Sequence, residues 1–98
     1  MIYVIATLTV NADHREAFMA GAREVIAATR QEAGCQHYDL SGSITDPLTF
    51  VFVERWDSRE ALDAHFQTKH LQHWRTLCEK YLTGRALEII RPEHVDAS

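Results

Sequence analysis

The sequence predicts an α+β domain built in the order β-α-β-β-α-β, and three features carry that prediction. Two stretches, residues 2–10 and 49–56, alternate side chains with the period of two that strands show. Two others, 13–33 and 57–81, repeat apolar positions at helical spacing behind aspartate-containing starts. Glycines and an Asp-Pro pair fall between these blocks, where the chain has to turn.

In the first strand Ile2, Val4, Ala6, Leu8 and Val10 share one face, and Tyr3, Ile5, Thr7 and Thr9 share the other. Asp13 followed by Glu16 reads as a capping-box variant with Asp13 in the N-cap role. The helix it opens carries Phe18, Ala22, Val25, Ile26, Thr29 and Ala33 on its apolar stripe, and Gly34 supplies a left-handed stop. The second strand, CQHYDLSGS, turns Tyr38 and Leu40 to one side and His37 and Asp39 to the other. Residues 44–48, with Asp46-Pro47, form the hairpin turn.

The third strand, TFVFVERW, sets Phe50, Phe52, Glu54 and Trp56 on one face and Val51, Val53 and Arg55 on the opposite one. Asp57-Ser58-Arg59-Glu60 repeats the capping-box pattern and starts a short helix that turns Ala61, Leu62, His65 and Phe66 inward. Thr68 is the N-cap of a further helical segment bearing Leu71, Trp74, Leu77, Cys78 and Tyr81. Gly84 ends that segment, and ALEIIRP gives a last strand closed by Pro92. The domain is therefore expected over residues 1–91, with 92–98 a loosely held tail.

This order is the signature of a ferredoxin-like sandwich, in which helices cover one face of the sheet only. Yet the first and third strands are apolar on both faces, so Tyr3, Ile5, Val51 and Val53 would meet water in a monomer. A homodimer joined sheet to sheet is the expected remedy.

Ninety-eight residues suit one domain, and 46% hydrophobic with 24% charged content is ordinary for a globular chain. The net charge of -4, with Lys and Arg scattered, leaves no basic stripe for phosphates, so no nucleic-acid partner is expected. MIYVIATLTV is too short to span a bilayer and carries no positive n-region. No membrane partner is expected, and the location read from this is cytoplasmic. Cys35 and Cys78 match no metal or redox spacing and read as small buried apolar residues.

The stretch ERWDSREALDAHFQTKHLQHW holds three of the six histidines. Glu54 and Trp56 leave the third strand on the face toward which the next helix turns His65. A carboxylate, an indole and an imidazole would then border an apolar gap. A neighbouring carboxylate raises a histidine's pKa while burial lowers it, a balance that keeps an imidazole near neutrality, where a general base works best. The plain alternative is a half-buried helix histidine bonded to Glu54 for structure alone, with Trp56 as core. His70 and His73 share a helix face, but no cysteine completes a set and the spacing matches no zinc pattern, so no metal is expected. His73, His14 and His94 read as solvent-exposed. No phosphate loop, nucleophile elbow or dinucleotide fingerprint occurs, so no nucleotide cofactor is expected.

Three runs carry a family resemblance: Gly34-Cys35-x-x-Tyr38-x-Leu40, Phe52-x-Glu54-x-Trp56-x-Ser58, and Ala61-Leu62-x-x-His65-x-x-Thr68-x-His70. Together they resemble the antibiotic biosynthesis monooxygenase superfamily, in particular its small quinol monooxygenase type, from the first strand to about Arg91. The resemblance implies a dimeric α+β barrel of ferredoxin-like protomers. It also implies oxygenation of quinols, anthrones or similar electron-rich aromatics by O₂, with neither metal nor flavin and so with no cofactor. In that chemistry a base deprotonates a phenol or acidic carbon, the anion donates an electron to O₂, and the protein supplies binding and a dry pocket.

On this resemblance His65 is the base or proton shuttle, Glu54 orients it and Trp56 walls the pocket. Tyr38, Phe52, Phe66, His70 and Trp74 are lining residues that bind the substrate. Some relatives degrade haem through a first-strand asparagine, a tryptophan on the helix after the third strand and a proximal histidine. Here Ala6 and His65 stand at the first two positions, so two of three features are missing. Other relatives isomerise small phosphorylated ketones. An isomerase or tautomerase, and a non-catalytic ligand-binding protein with haem among its ligands, therefore stay open beside the oxygenase.

Overall fold

Alternation makes β1 (Ile2–Val10): its even-numbered side chains are buried and its odd-numbered ones half-buried along the whole strand. A computed structural model describes residues 1–98. After β1 come α1 (Arg15–Thr29), β2 (Cys35–Gly42), β3 (Thr49–Trp56), α2 (Arg59–Phe66), α3 (Lys69–Tyr81) and β4 (Leu82–Ile90). The strands form one antiparallel sheet in the order β2-β3-β1-β4. This is the expected ferredoxin-like α+β fold, in which the helices cover the face that carries Val4, Phe52 and Trp56.

Several boundaries differ from those expected, each for a local reason. The chain enters α1 through a single 3-10 turn, Ala12–His14, and its cap is Asn11, whose Oδ1 accepts the Asp13 N–H at 2.9 Å. Asp13 is thus not the N-cap; an asparagine two residues earlier serves equally well. The helix ends at Thr29 rather than Ala33, and residues 30–33 form a tighter turn held by Gln31 N–H to Ala28 O and Glu32 N–H to Thr29 O. Gly34 does take the left-handed conformation, at φ 85°, but it turns the chain into β2 rather than ending α1. A Cβ there would come within 2.6 Å of Ala61 Cβ, so the site needs glycine twice over.

Ser58, not Asp57, caps α2, accepting the Ala61 N–H at 3.1 Å from an extended backbone. Asp57 instead accepts from Gln36 Nε2 at 2.6 Å and ties down the start of β2. Thr68 caps α3 as expected, accepting the Leu71 N–H, and its hydroxyl also donates to His65 O at 2.8 Å. That second bond fixes the bend between α2 and α3. Gly84 lies inside β4 opposite Thr9 and ends nothing. Leu82 passes straight from α3 into extended backbone, so β4 begins four residues earlier than the apolar run ALEII suggests.

Sixteen buried residues form one core, with Phe18 packed on Phe50 and Trp74 at ring-centroid distances of 5.0 and 5.2 Å. The register sets Val4, Glu54 and Tyr38 side by side across three strands of the covered face. Across the other face run Tyr3, Ile5, Val51 and Val53, joined by Ile90, which pairs with Tyr3. No helix packs over them, and Val53 and Ile90 are 39% and 37% exposed.

Candidate active site

His65 lies where four pieces of chain meet, and it is 1% exposed. It faces inward from the last turn of α2, where its ring packs on Trp56 at 4.6 Å and against the edge of Tyr38 at 5.4 Å. Its Nδ1 lies 2.7 Å from Oε2 of Glu32, in the turn between α1 and β2. The same Glu32 oxygen lies 2.6 Å from Nε2 of His70, in the first turn of α3. A carboxylate only accepts, so the His65 proton sits on Nδ1 and the lone pair on Nε2. Nε2 forms no hydrogen bond within the chain, and His65 is one of the residues that line an adjoining cleft.

That cleft brings together Tyr38, Phe52, Glu54, Phe66 and Trp74 with His65, all of them expected site residues. Trp56 stands behind the imidazole rather than on the cleft wall, and His70 sits further back on Glu32. The cleft is about 90 Å³, with Arg85 and the half-exposed Leu87 of β4 on its rim. It is smaller than the ~150 Å³ cavity that admits benzene in a well-packed protein. A ring-sized ligand has to use the rim and displace side chains there. A larger hollow of about 560 Å³ lies between α1 and β2, lined by Met19, Ile26, Arg30, Leu40 and Phe50 among others. No imidazole, thiol or buried carboxyl borders it, whereas the smaller cleft has both an imidazole and a buried carboxyl in its lining.

Glu54 corrects one expectation. It does not orient His65; its Oε1 accepts the indole N–H of Trp56 at 3.0 Å. Trp56 is fully buried and its N–H needs an acceptor, and the residue two positions back on the same strand face is the nearest one. Glu32 holds His65 instead. Burial pushes the Glu54 carboxyl up to about 7, with Glu32 adding to the effect and the Trp56 bond opposing it. Burial also drives His65 below its ordinary value, outweighing the Glu32 bond that pulls the other way. The Tyr38 phenol is raised far above its usual range by burial, with Glu54 adding to it, and stays protonated.

The remaining residues divide. His73 is exposed, His94 is exposed and bonded to Asp96, and His14 is half-buried against the Tyr81 ring at 5.4 Å rather than free in solvent. Both cysteines are free; burial pushes Cys78 up to about 12 and also raises Cys35, which suits inert packing. Glu32 is the site residue that sequence reasoning missed. It lies 33 positions from His65 in the chain, and no local pattern marks it.

The structure thus sets a buried histidine, held by a carboxylate, beside an aromatic cleft on a ferredoxin-like sheet. The chain belongs to the antibiotic biosynthesis monooxygenase family, whose sequence model matches residues 1–77. It is 31% identical over 93 residues to YcnE of Bacillus subtilis, a protein with a provisional monooxygenase name, covering 95% of this chain and 97% of that one. It is 24% identical over 87 residues to YgiN of Escherichia coli, provisionally named a quinol monooxygenase, covering 81% of this chain and 84% of that one. Among solved structures, Rv0793 of Mycobacterium tuberculosis superposes with a TM-score of 0.90 at 33% identity, covering 98% of each chain. Family and names agree on monooxygenase-type chemistry with a small-molecule substrate. No helix is long and apolar enough to cross a membrane.

Proposed function

We propose that this protein is a cofactor-independent monooxygenase that oxidises a quinol-like or anthrone-like aromatic with O₂, with His65 as the base. The observation that carries the reading is the 2.7 Å contact between His65 Nδ1 and Glu32 Oε2. An ionised Glu32 there favours the proton on Nδ1 and leaves the lone pair on Nε2, in a residue that lines an apolar, aromatic-walled cleft. Nε2 takes the proton from an acidic C–H or phenolic O–H, and Glu32 stabilises the imidazolium that forms. The substrate anion gives an electron to O₂, the two radicals recombine to a carbon-bound peroxide anion, and the proton held on His65 returns to it, giving a hydroperoxide and restoring the neutral imidazole. His65 then takes the remaining proton from that carbon as the O–O bond breaks, leaving the new carbonyl and a departing hydroxide. Glu54, about half protonated near pH 7, supplies the proton that the departing hydroxide needs. Phe52, Phe66 and Trp74 hold the ring, and Tyr38 and Trp56 keep the imidazole in place.

Assembly and location belong to the same reading. The helix-free face with Tyr3, Ile5, Val51, Val53 and Ile90 pairs with its copy in a homodimer, giving the dimeric α+β barrel. Two unpaired cysteines fit the reducing cytoplasm. A second reading draws on the small volume of the cleft, about 90 Å³, which suits a small ketone better than a fused ring. The same acid–base pair would then enolise it as an isomerase or tautomerase.

Oxygen uptake with a panel of hydroquinones, naphthoquinols and anthrones, using chelator-treated protein and correcting for autoxidation, tests the proposal. His65→Gln is expected to lower enzyme-dependent uptake by about 10²-fold or more. Equal uptake by native and variant protein would remove His65 as the base. Turnover that persists without O₂ would favour the isomerase.

A further inference from the structure

Glu32 Oε2, His65 Nδ1 and His70 Nε2 all lie within 4.8 Å of one another. Two imidazoles and a carboxylate are the donor set that takes borderline divalent ions. The three come from separate elements, so the tertiary fold assembles the set and no sequence spacing announces it. Ligand atoms at about 2.0–2.2 Å from a shared tetrahedral ion stand about 3.4 Å apart. Glu32 therefore has to draw back by less than about 1 Å from its present contacts of 2.6 and 2.7 Å, and the two imidazole nitrogens, within 4.8 Å of each other, have to close by up to about 1.4 Å. It sits in a turn, where that movement breaks no helix. The His70 side chain is 29% exposed, which gives an ion a route in and a water a free coordination position. Arg75, whose guanidinium lies 5.1 Å over the Phe66 ring, is the nearby charge that opposes a cation.

We propose that Glu32, His65 and His70 bind one divalent transition ion of the zinc type, and that its binding withdraws His65 from service as a base. The second half rests on the assignment of His65 as the base; the first does not. The ion takes the lone pairs of His65 Nδ1 and His70 Nε2, and each imidazole moves its proton to its other nitrogen. No net proton leaves and no electron is transferred. His65 Nε2 then carries a hydrogen into the cleft where it had offered a lone pair, so the metal acts as an inhibitor and takes no part in the oxygenation.

Chelator-stripped native protein titrated with Co²⁺ tests the site without any substrate. The expected result is a visible absorption band of four- or five-coordinate Co²⁺ that saturates at one equivalent and is displaced by Zn²⁺. His70→Gln and Glu32→Gln are expected to weaken binding by at least about tenfold, while His73→Gln, one turn along and outside the set, binds as the native protein does. No band at one equivalent, or an equal band in His70→Gln, overturns the site. Nitrogen-15 spectra of the His65 ring with and without Zn²⁺ test the switch. Nε2 should move from unprotonated to N–H; a ring that keeps Nε2 unprotonated while the metal binds overturns it. Neither readout involves turnover, so this site and the oxygenase reading can fail separately.

Discussion

Substituting Glu54 with glutamine should change how the stability of this domain depends on pH. The carboxyl is 6% exposed and burial lifts it to about 7, against an ordinary value of 4.5. A difference of about 2.5 pH units at about 1.36 kcal/mol each amounts to about 3 kcal/mol. Between these values the folded chain keeps a proton that the unfolded chain has released. The Glu54 contribution is therefore whole below about pH 4.5, falls as pH rises and is gone above about 7. His65 has the opposite slope, because its lowered value costs stability as pH falls below the ordinary histidine range.

Glu54→Gln removes the first slope and leaves the second. The amide oxygen still accepts from the Trp56 indole, and any cost of burying the extra N–H₂ is the same at every pH. Relative to native protein, the variant should gain about 3 kcal/mol between pH 4.5 and 8. That is a large share of the ~5–15 kcal/mol that holds such a domain together. Urea denaturation at fixed protein concentration across this range measures it, provided the slope with urea is unchanged. Parallel stability curves for the two proteins would refute the argument that burial of this carboxyl dominates its titration.

Three further expectations follow from single positions. Gly34→Ala places a Cβ within 2.6 Å of Ala61 Cβ at a positive φ, and should cost at least about 1–2 kcal/mol in thermal or urea unfolding; an unchanged midpoint would mean that the turn relaxes freely. Ser58→Ala removes the cap on the Ala61 N–H and should cost about 1 kcal/mol, most of it restored by Ser58→Asp. Val53→Asp puts charge in the middle of the helix-free face, and sedimentation should show a homodimer in the native protein and a monomer in the variant; a native monomer at micromolar concentration would sink the sheet-to-sheet pairing.

What the sequence revealed about this fold is what short-range physics controls. The alternation in β1 and β3, the stripe on α1 from Phe18 to Thr29 and the Thr68 cap each depend on residues within a few positions, and each was legible. The boundaries that moved were choices between neighbours of equal merit. Asn11 and Asp13, or Ser58 and Asp57, are comparable capping residues, and tertiary demands such as the Gln36 bond to Asp57 decide between them. Gly84 misled because a glycine after a helical run usually stops it, whereas here it pairs with Thr9 in a strand.

The site was half legible for the same reason. Glu54, Trp56 and Tyr38 meet because strand register is set by alternation, and His65 faces them because Leu62 beside it must be buried. Glu32 reaches His65 only because α1 stops at Thr29 and the tight turn after it aims the carboxylate back under α2, a consequence of where two elements end. The consequence for mechanism is specific. Glu54, the carboxyl on the cleft, is the one that burial brings toward its neutral form, while the carboxylate that holds His65, Glu32, is not among the residues that line the cleft. Near neutral pH the cleft then holds an unprotonated imidazole and an acid that is about half neutral. On the oxygenase reading proposed above, the charge created when the proton moves would appear on His65, where Glu32 is in place to stabilise it, beside a cleft bordered by Arg75 and Arg85.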